Sequence, residues 1–475
     1  MKNVRNYFYN LSYQLFLLIV PLITVPYISR TIGPNGVGIN SLTLASTQYF
    51  IYFATLGLTT YGQREVAYVR DDKNKLTKTF WEIELLSVFT TVVALFFFAL
   101  FIGIQAKYQK LYCIEALLVL SCALDVSWVF MGTENFKVTV LRNFFVKITS
   151  IILIFVFVRT STDLWKYVLI TSLSTLLGNI SLWPYLLRVI NHAFPRKINI
   201  FKHLKPTFAL FIPQIAITVY VYFNKIMLGN MSSVLQVGFF DSSDKLVRIA
   251  LTVVTAISTV MLPSAAKYFS DGNINKLNDS IKTSLDFALM LALPMAAGLM
   301  IIAPRLVPIF FGAKFAPTSQ VMIVEAISII PISISQIIGV QYLISTKKTR
   351  IYTISIICGA CINVLANWLL IPSLGAVGTA WATVIAEFVI AGMEIGFLST
   401  NISLIWIFHD LPKLFLATLG MSLICYFESL MGFDGIVGVL LPTLAGILSY
   451  FGQLLLLRVQ FFVNAVSTLT DKFIH

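Results

Sequence analysis

Runs of about 20 apolar residues recur along the whole chain, separated by short polar connections. A helix rises 1.5 Å per residue, so about 20 such residues cross about 30 Å of hydrocarbon. Inside lipid the backbone must satisfy its own hydrogen bonds, and a run of this length does so as a helix. Fourteen spans fit the sequence, near 11–30, 39–60, 83–104, 111–131, 139–158, 164–187, 207–228, 239–261, 283–304, 319–345, 351–371, 376–398, 413–431 and 435–457. Composition agrees. The 475 residues are 58% hydrophobic and 12% charged, about half the charge that a soluble chain carries. That excludes an ordinary soluble enzyme, and the apolar content excludes disorder. Lys2 and Arg5 before the first run imitate a signal peptide, but no small-residue cleavage site follows, so the run reads as the first transmembrane helix.

The basic surplus is +13. For a multispanning chain most of it belongs in cytoplasmic connections. With the N-terminus inside, 23 Lys and Arg fall on the cytoplasmic side, 7 fall outside and 4 lie within spans. The bias predicts N-in, C-in and an even number of helices. The longest connections, near 61–82, 188–206 and 262–282, are too short to hold a catalytic domain. There is no GxxxxGK[ST] phosphate loop. Cys358 and Cys361 form a CxxC inside an apolar run, and the four His are scattered, so the sequence implies no metal site, no cofactor and no nucleic-acid partner. The helices themselves must do the work, which favours a transporter over an enzyme.

An internal repeat sharpens this. Pro21 to Gly33 leads into Gly36-Val37-Gly38-Ile39-Asn40. Pro213 opens a run that ends Asn224-Lys225 and Gly229, followed by Gln236-Val237-Gly238-Phe239-Phe240-Asp241. A third echo is Gly375-Ala376-Val377-Gly378. The first two copies lie about six helices apart. The expected fold is all-α: a six-helix lobe over 1–206, a second over 207–412, a central cavity between them, and two additional helices with a cytoplasmic tail over 413–475. Transporters built from such halves bind substrate between them and rock to alternate access.

Ionisable groups inside a bilayer are costly and usually face an internal cavity. Lys225 and Lys147 lie within expected spans, with Arg30 and Arg142 at span ends. Asp241, Asp244, Lys245 and Arg248 fall on one side of the eighth span, where Asp241 can pair with Lys245 and Asp244 with Arg248. A self-neutralised structural patch would explain that set equally well. Asp125 sits within the fourth span, Glu325 in the tenth, and Glu387 and Glu394 on one face of the twelfth. A cavity lined by Arg30, Lys225, Arg248, Arg142 and Lys147 would suit an anionic headgroup, whose phosphate oxygens accept charge-assisted hydrogen bonds. Some of these cations would instead snorkel to the interface, Arg142 and Arg30 first.

Tyr27-Ile-Ser-Arg30-Thr-Ile-Gly33-Pro34-Asn-Gly36-Val-Gly38 resembles the first-helix signature of the Wzx-type O-antigen and capsule repeat-unit flippases. Trp128 to Lys137, running on to Leu141-Arg142-Asn143, resembles their fourth-to-fifth connection. Lys225-Ile-Met-Leu-Gly229, then Val237-Gly238 with Asp241, Lys245 and Arg248, resemble the seventh and eighth helices. Asn363, Asn367, Pro372 and Gly375 to Ala380 resemble the eleventh-to-twelfth turn. The likeness covers most of residues 1–400 and implies the multidrug/oligosaccharidyl-lipid/polysaccharide exporter superfamily. Relatives often carry an acid where Asn224 stands here, which weakens any acid-based ion coupling at that point.

The resemblance implies a flippase that moves an undecaprenyl-pyrophosphate-linked oligosaccharide across the bacterial plasma membrane for capsule, O-antigen or exopolysaccharide synthesis. It needs no covalent chemistry. Membrane lipids, glycosyltransferases and a polysaccharide polymerase are the partners this implies. Asp125, Asp241, Asp244, Glu325 and Glu387 are candidates for ion coupling or gating. Two rivals stand. A cation-coupled multidrug exporter of the same fold would use Asp125 and the Glu387 face. A membrane-embedded polymerase or ligase would want a large external loop, which the sequence does not contain.

Overall fold

The computed structural model describes residues 2–105, 107–191, 194–195, 198–431, 433 and 435–463, and for the helical residues 2–15, 17–19, 209–210, 212–220 and 259 the backbone alone. His192, Arg196, Lys197, Lys472, His475 and most of the expected tail lie outside the described residues, as do the side chains of Lys2 and Arg5. The described chain is helical and contains no strand. It divides into two compact units, Met1–Ile226 and Met227–His475.

In the first unit α1 (Lys2–Thr55) is two helices joined at Gly33, whose φ of 72° and ψ of 174° interrupt the hydrogen-bond ladder. Pro34 starts the second arm, where its missing N–H costs nothing. Leu56 and Gly57 turn the chain with positive φ into α2 (Leu58–Val69). Asp72 caps α3 (Lys73–Ile104), accepting from the Asn74 and Lys75 N–H groups. The expected loop over 61–82 is therefore mostly helix. The Asp72 cap signal lies inside the charged stretch that reads as a loop. The fourth span is broken into α4 (Gln109–Cys122) and α5 (Ser127–Gly132). Then come α6 (Phe136–Phe157), α7 (Leu164–Ile180), the short α8 (Trp183–Leu186) and α9 (Leu204–Met231), within which the division between units falls. Pro213, read as a helix opener, lies inside α9. Phe80, Ile83 and Leu86 of α3 pack with Val126, Trp128 and Phe130 to form an apolar core at the α4–α5 break.

The second unit contains α10 (Val234–Ser270) and α11 (Ile274–Phe311), joined by a turn at Gly272 with φ 71°. The expected loop over 262–282 is thereby reduced to three residues, Asp271–Asn273, because both helices run past the apolar stretch. The tenth span is α12 (Thr318–Glu325), a single 3-10 turn, α13 (Ile329–Ser335) and a π-helical segment over Gln336–Ile344. The hairpin of α14 (Thr349–Leu374) and α15 (Ala376–Leu398) turns at Gly375, φ 55°. A short α16 (Leu404–Ile407) precedes α17 (Leu411–Leu430) and α18 (Val437–Leu456). The last two pack on α11: Tyr450 donates to the Met290 carbonyl at 2.8 Å, and Arg305 donates to the carbonyls of Ser429 and Gly438 at the connection between them.

Ten helical stretches among the described residues are long and apolar enough to cross a membrane. The other four of the fourteen expected spans coincide with helix in the two arms of α1, in α7 and in α9. All three repeat echoes open a helix, and in the second unit two of them meet: Gln236 Oε1 accepts from the Ala376 N–H at 3.0 Å.

Candidate functional site

The candidate cations divide by environment. In the first unit, Tyr27 donates to the Val158 carbonyl at 2.7 Å and packs on Phe155, tying the first arm of α1 to the end of α6. Arg30 follows one turn later and is exposed. Lys147 lies midway along α6, exposed, and makes no ion pair among the described residues. Arg142 is half-buried, and its Nη1 donates to Asn179 Oδ1 of α7 at 3.3 Å. Asn179 in turn donates to the Ser121 carbonyl at 2.9 Å. Arg142 therefore takes part in packing as well as charge. Lys225 and Asn224 on α9 are both buried.

Asp125 does not sit mid-helix as expected. It lies in the break between α4 and α5, where its Oδ1 accepts from the Ser127 N–H at 3.0 Å. That Asx contact competes with the helix ladder and ends it. Side chains take up the carbonyls the break releases: Ser87 reaches Cys122 O at 3.3 Å and Trp183 Nε1 reaches Leu124 O at 3.1 Å. Beyond α5, Glu134 adopts a positive φ and pairs with Arg70 at 2.6 Å.

In the second unit both expected pairs form on α10. Lys245 meets Asp241 at 2.6 Å, and Arg248 meets Asp244 at 2.7 Å. Ser243, between the two acids, donates to the buried Glu325 at the end of α12. Glu387 and Glu394 are both buried on α15. Glu394 Oε1 accepts from Ser355 Oγ at 3.0 Å and faces Gly339 of the π-helical segment, where a Cβ would lie 2.7 Å from it. Asn367 donates to Asn363 at 3.0 Å along α14.

Glu115, Glu82 and Glu84 are buried acids of the first unit that were not singled out from sequence. Glu115 on α4 accepts from Thr43 at 2.7 Å and from Thr47. Glu82 on α3 accepts from the Asn199 N–H at 3.0 Å and pairs with Lys202 at 2.5 Å. His203 lies 3.2 Å from the same carboxylate and shares a 2.7 Å hydrogen bond with Tyr61. Burial holds the His203 imidazole below its usual range, so it is neutral there. Glu84 is buried with no hydrogen-bond partner among the described residues. The signal for all three was their place as acids in or beside apolar spans.

Such an arrangement holds charge within helices and contains no group of three or more metal-ligating side chains among the described residues. Residues 3–269 match the family described as polysaccharide biosynthesis protein. A putative O-antigen transporter of Escherichia coli (strain K12) is 24% identical over 410 residues, 84% of this chain and 97% of that one. A probable low-salt glycan biosynthesis flippase, Agl15 of Haloferax volcanii, is 22% identical over 49% of each chain. Among solved structures, a lipid II flippase MurJ in an inward closed conformation superposes with a TM-score of 0.77 at 18% identity, over 97% of this chain and 100% of that one. An inward-facing multidrug resistance MATE family transporter reaches 0.63 at 16% identity, over 85% and 95%.

Proposed function

This chain belongs to the polysaccharide biosynthesis protein family of Wzx-type flippases in the multidrug/oligosaccharidyl-lipid/polysaccharide exporter superfamily, and from that premise we propose that its cargo is an undecaprenyl-pyrophosphate-linked oligosaccharide. As a class it is a multi-pass membrane transporter of lipid-linked oligosaccharide, not an enzyme. The finer reading is a repeat unit for capsule, O-antigen or exopolysaccharide, carried across the bacterial plasma membrane with both termini cytoplasmic. Two six-helix lobes, with the last two helices added to the second, would rock to expose the cargo to each side in turn. Glycosyltransferases would supply that cargo and a polymerase would consume it.

The observation that carries this reading is the near full-length match to an O-antigen transporter, joined to cations placed on membrane helices. A pyrophosphate brings several negative oxygens, and Arg and Lys are the side chains that answer them. Exposure favours Arg30 and Lys147 as first contacts. Lys225 is buried, Arg248 is shared with Asp244, and Arg142 with Asn179; these three act as supporting charge. Asp241, Asp244, Glu325, Glu387 and Asp125 are the candidates for gating or ion coupling.

The test is replacement of Arg30 and Lys225 together by Ala in the source strain. Surface polysaccharide is expected to disappear while the protein stays in the membrane. Normal surface polysaccharide in that strain would overturn the reading. Drug sensitivity with intact polysaccharide in a deletion strain would favour the multidrug exporter instead.

A further inference from the structure

Glu84 is a carboxylate whose surroundings do not neutralise it. It is 2% exposed on α3, and neither Oε1 nor Oε2 has a hydrogen-bond partner among the described residues. Other buried acids of the same unit show what a settled carboxylate looks like. Glu82, two residues earlier, has Lys202, His203 and the Asn199 N–H. Glu115 has two threonine hydroxyls. An ionised carboxylate buried without either kind of partner is costly.

Ser87, one turn further along α3, donates to the Cys122 carbonyl at 3.3 Å and fixes α3 against the end of α4. Asp125 follows in the break, partly exposed. Glu84 stands one turn before that contact on α3 and Asp125 three residues beyond it, the one buried and the other partly exposed. Thr91, two turns beyond Glu84 on the same face, is also buried with its hydroxyl unpartnered among the described residues.

Among the described residues, the other elements packed on α3 show no counter-charge for Glu84. The second arm of α1, residues 34–55, contains no Asp, Glu, Lys, Arg or His. On α2, Arg64 and Glu65 pair with each other, and Tyr61 is held by His203. On α4, Glu115 is held by its threonines, and α5 contains no charged residue. Lys202 and His203 of the turn before α9 are engaged by Glu82.

We propose that Glu84 and Asp125 form a proton site, binding one proton between them, and that this proton is the ion whose movement is coupled to transport. Two adjacent carboxylates share a proton more readily than both ionise. Asp125 exchanges the proton with water, and Glu84 receives it on a carboxylate oxygen that has no hydrogen-bond partner among the described residues. A metal ion would need several oxygen ligands, and no group of three or more metal-ligating side chains occurs among the described residues. A proton needs one. The coupling half of the proposal rests on the flippase reading above; the proton site itself does not.

The test uses the full-length protein reconstituted in liposomes and has two readouts. In infrared difference spectra across a pH titration, the carbonyl band of a protonated carboxyl group is expected in the wild type, absent in Glu84→Gln and altered in Asp125→Asn. Glu84→Gln is isosteric and neutral, so it keeps the fold, which thermal melting verifies. A band unchanged in Glu84→Gln overturns the proton site. In transport, a pH gradient is expected to accelerate translocation of lipid-linked oligosaccharide by the wild type at least tenfold, Glu84→Asp to retain most of that, and Glu84→Gln to lose it. Equal stimulation of Glu84→Gln, or stimulation of the wild type by a sodium gradient in place of a proton gradient, overturns the coupling. A Glu84-dependent band in a protein that moves no lipid-linked oligosaccharide would sink the flippase reading and leave the proton site standing.

Discussion

The Thr43 hydroxyl donates to Glu115 Oε1 at 2.7 Å, joining the second arm of α1 to α4 through a carboxylate that is 1% exposed. Thr47, one turn on, donates to the other oxygen. Leaving a buried acceptor without its partner costs about 1–3 kcal/mol. Thr43→Val combined with Thr47→Val is expected to lower the melting temperature in detergent clearly, and Glu115→Gln, which removes the charge, to lower it less. A double valine variant that melts like the wild type would show that the contact does not stabilise the unit.

Helix spacing gives a sharper contrast. The first turn of α15 passes so close to α14 that a Cβ on Gly378 would lie 2.5 Å from the Leu370 carbonyl oxygen. Backbone cannot move aside as a side chain can, so Gly378→Ala is expected to cost about 1–3 kcal/mol. Gly298, inside α11, has open space around it. Gly298→Ala is expected to be neutral or to stabilise by up to about 1 kcal/mol through helix propensity. Thermal melting of the two variants side by side checks this; equal effects would contradict it.

His203 ties pH to the connection before α9. Burial lowers its folded value below the usual 6.5, so the unfolded chain binds its proton first as pH falls. Its contribution to stability is therefore present above about pH 6.5 and is lost as pH falls below that. Melting between about pH 7.5 and pH 5.5 is expected to show a downward step on acidification that His203→Gln reduces. A step of unchanged size in the variant would assign it to other groups.

Arg248 separates structural from functional charge. Its side chain is 53% exposed, while its i,i+4 partner Asp244 is buried, so Arg248→Lys is the variant that keeps a charge beside the acid. Arg248→Lys is expected to leave melting within about 1 kcal/mol of the wild type while reducing oligosaccharide translocation several-fold. Loss of stability without loss of transport would make the α10 patch purely structural.

Much of this was legible in the sequence, because the bilayer imposes a length and an apolarity that few other folds require. The i,i+4 pairs of α10 were readable from spacing alone. What sequence spacing hid was local. Hydropathy marks where a helix crosses, not where it ends, so polar ends capped by Asp72 and Asn273 read as loops although they continue α3 and α11. The break at Asp125 depends on an Asx contact inside an apolar run. Partners across helices, such as Asn179 for Arg142 and Ser355 for Glu394, have no sequence signature. Glu84 could have been noticed as an acid in a span, but its lack of partners exists only in three dimensions.

In the function proposed for this chain, cations on membrane helices carry an anionic lipid-linked sugar across the bilayer. The most direct measurement is translocation of an undecaprenyl-pyrophosphate oligosaccharide in liposomes containing the purified full-length protein, read by access of a membrane-impermeant glycosidase. The wild type is expected to expose the sugar with time. Arg30→Ala with Lys225→Ala is expected to slow it at least tenfold, and Lys147→Ala to slow it less. No transfer by the wild type, or undiminished transfer by the double variant, would contradict the account.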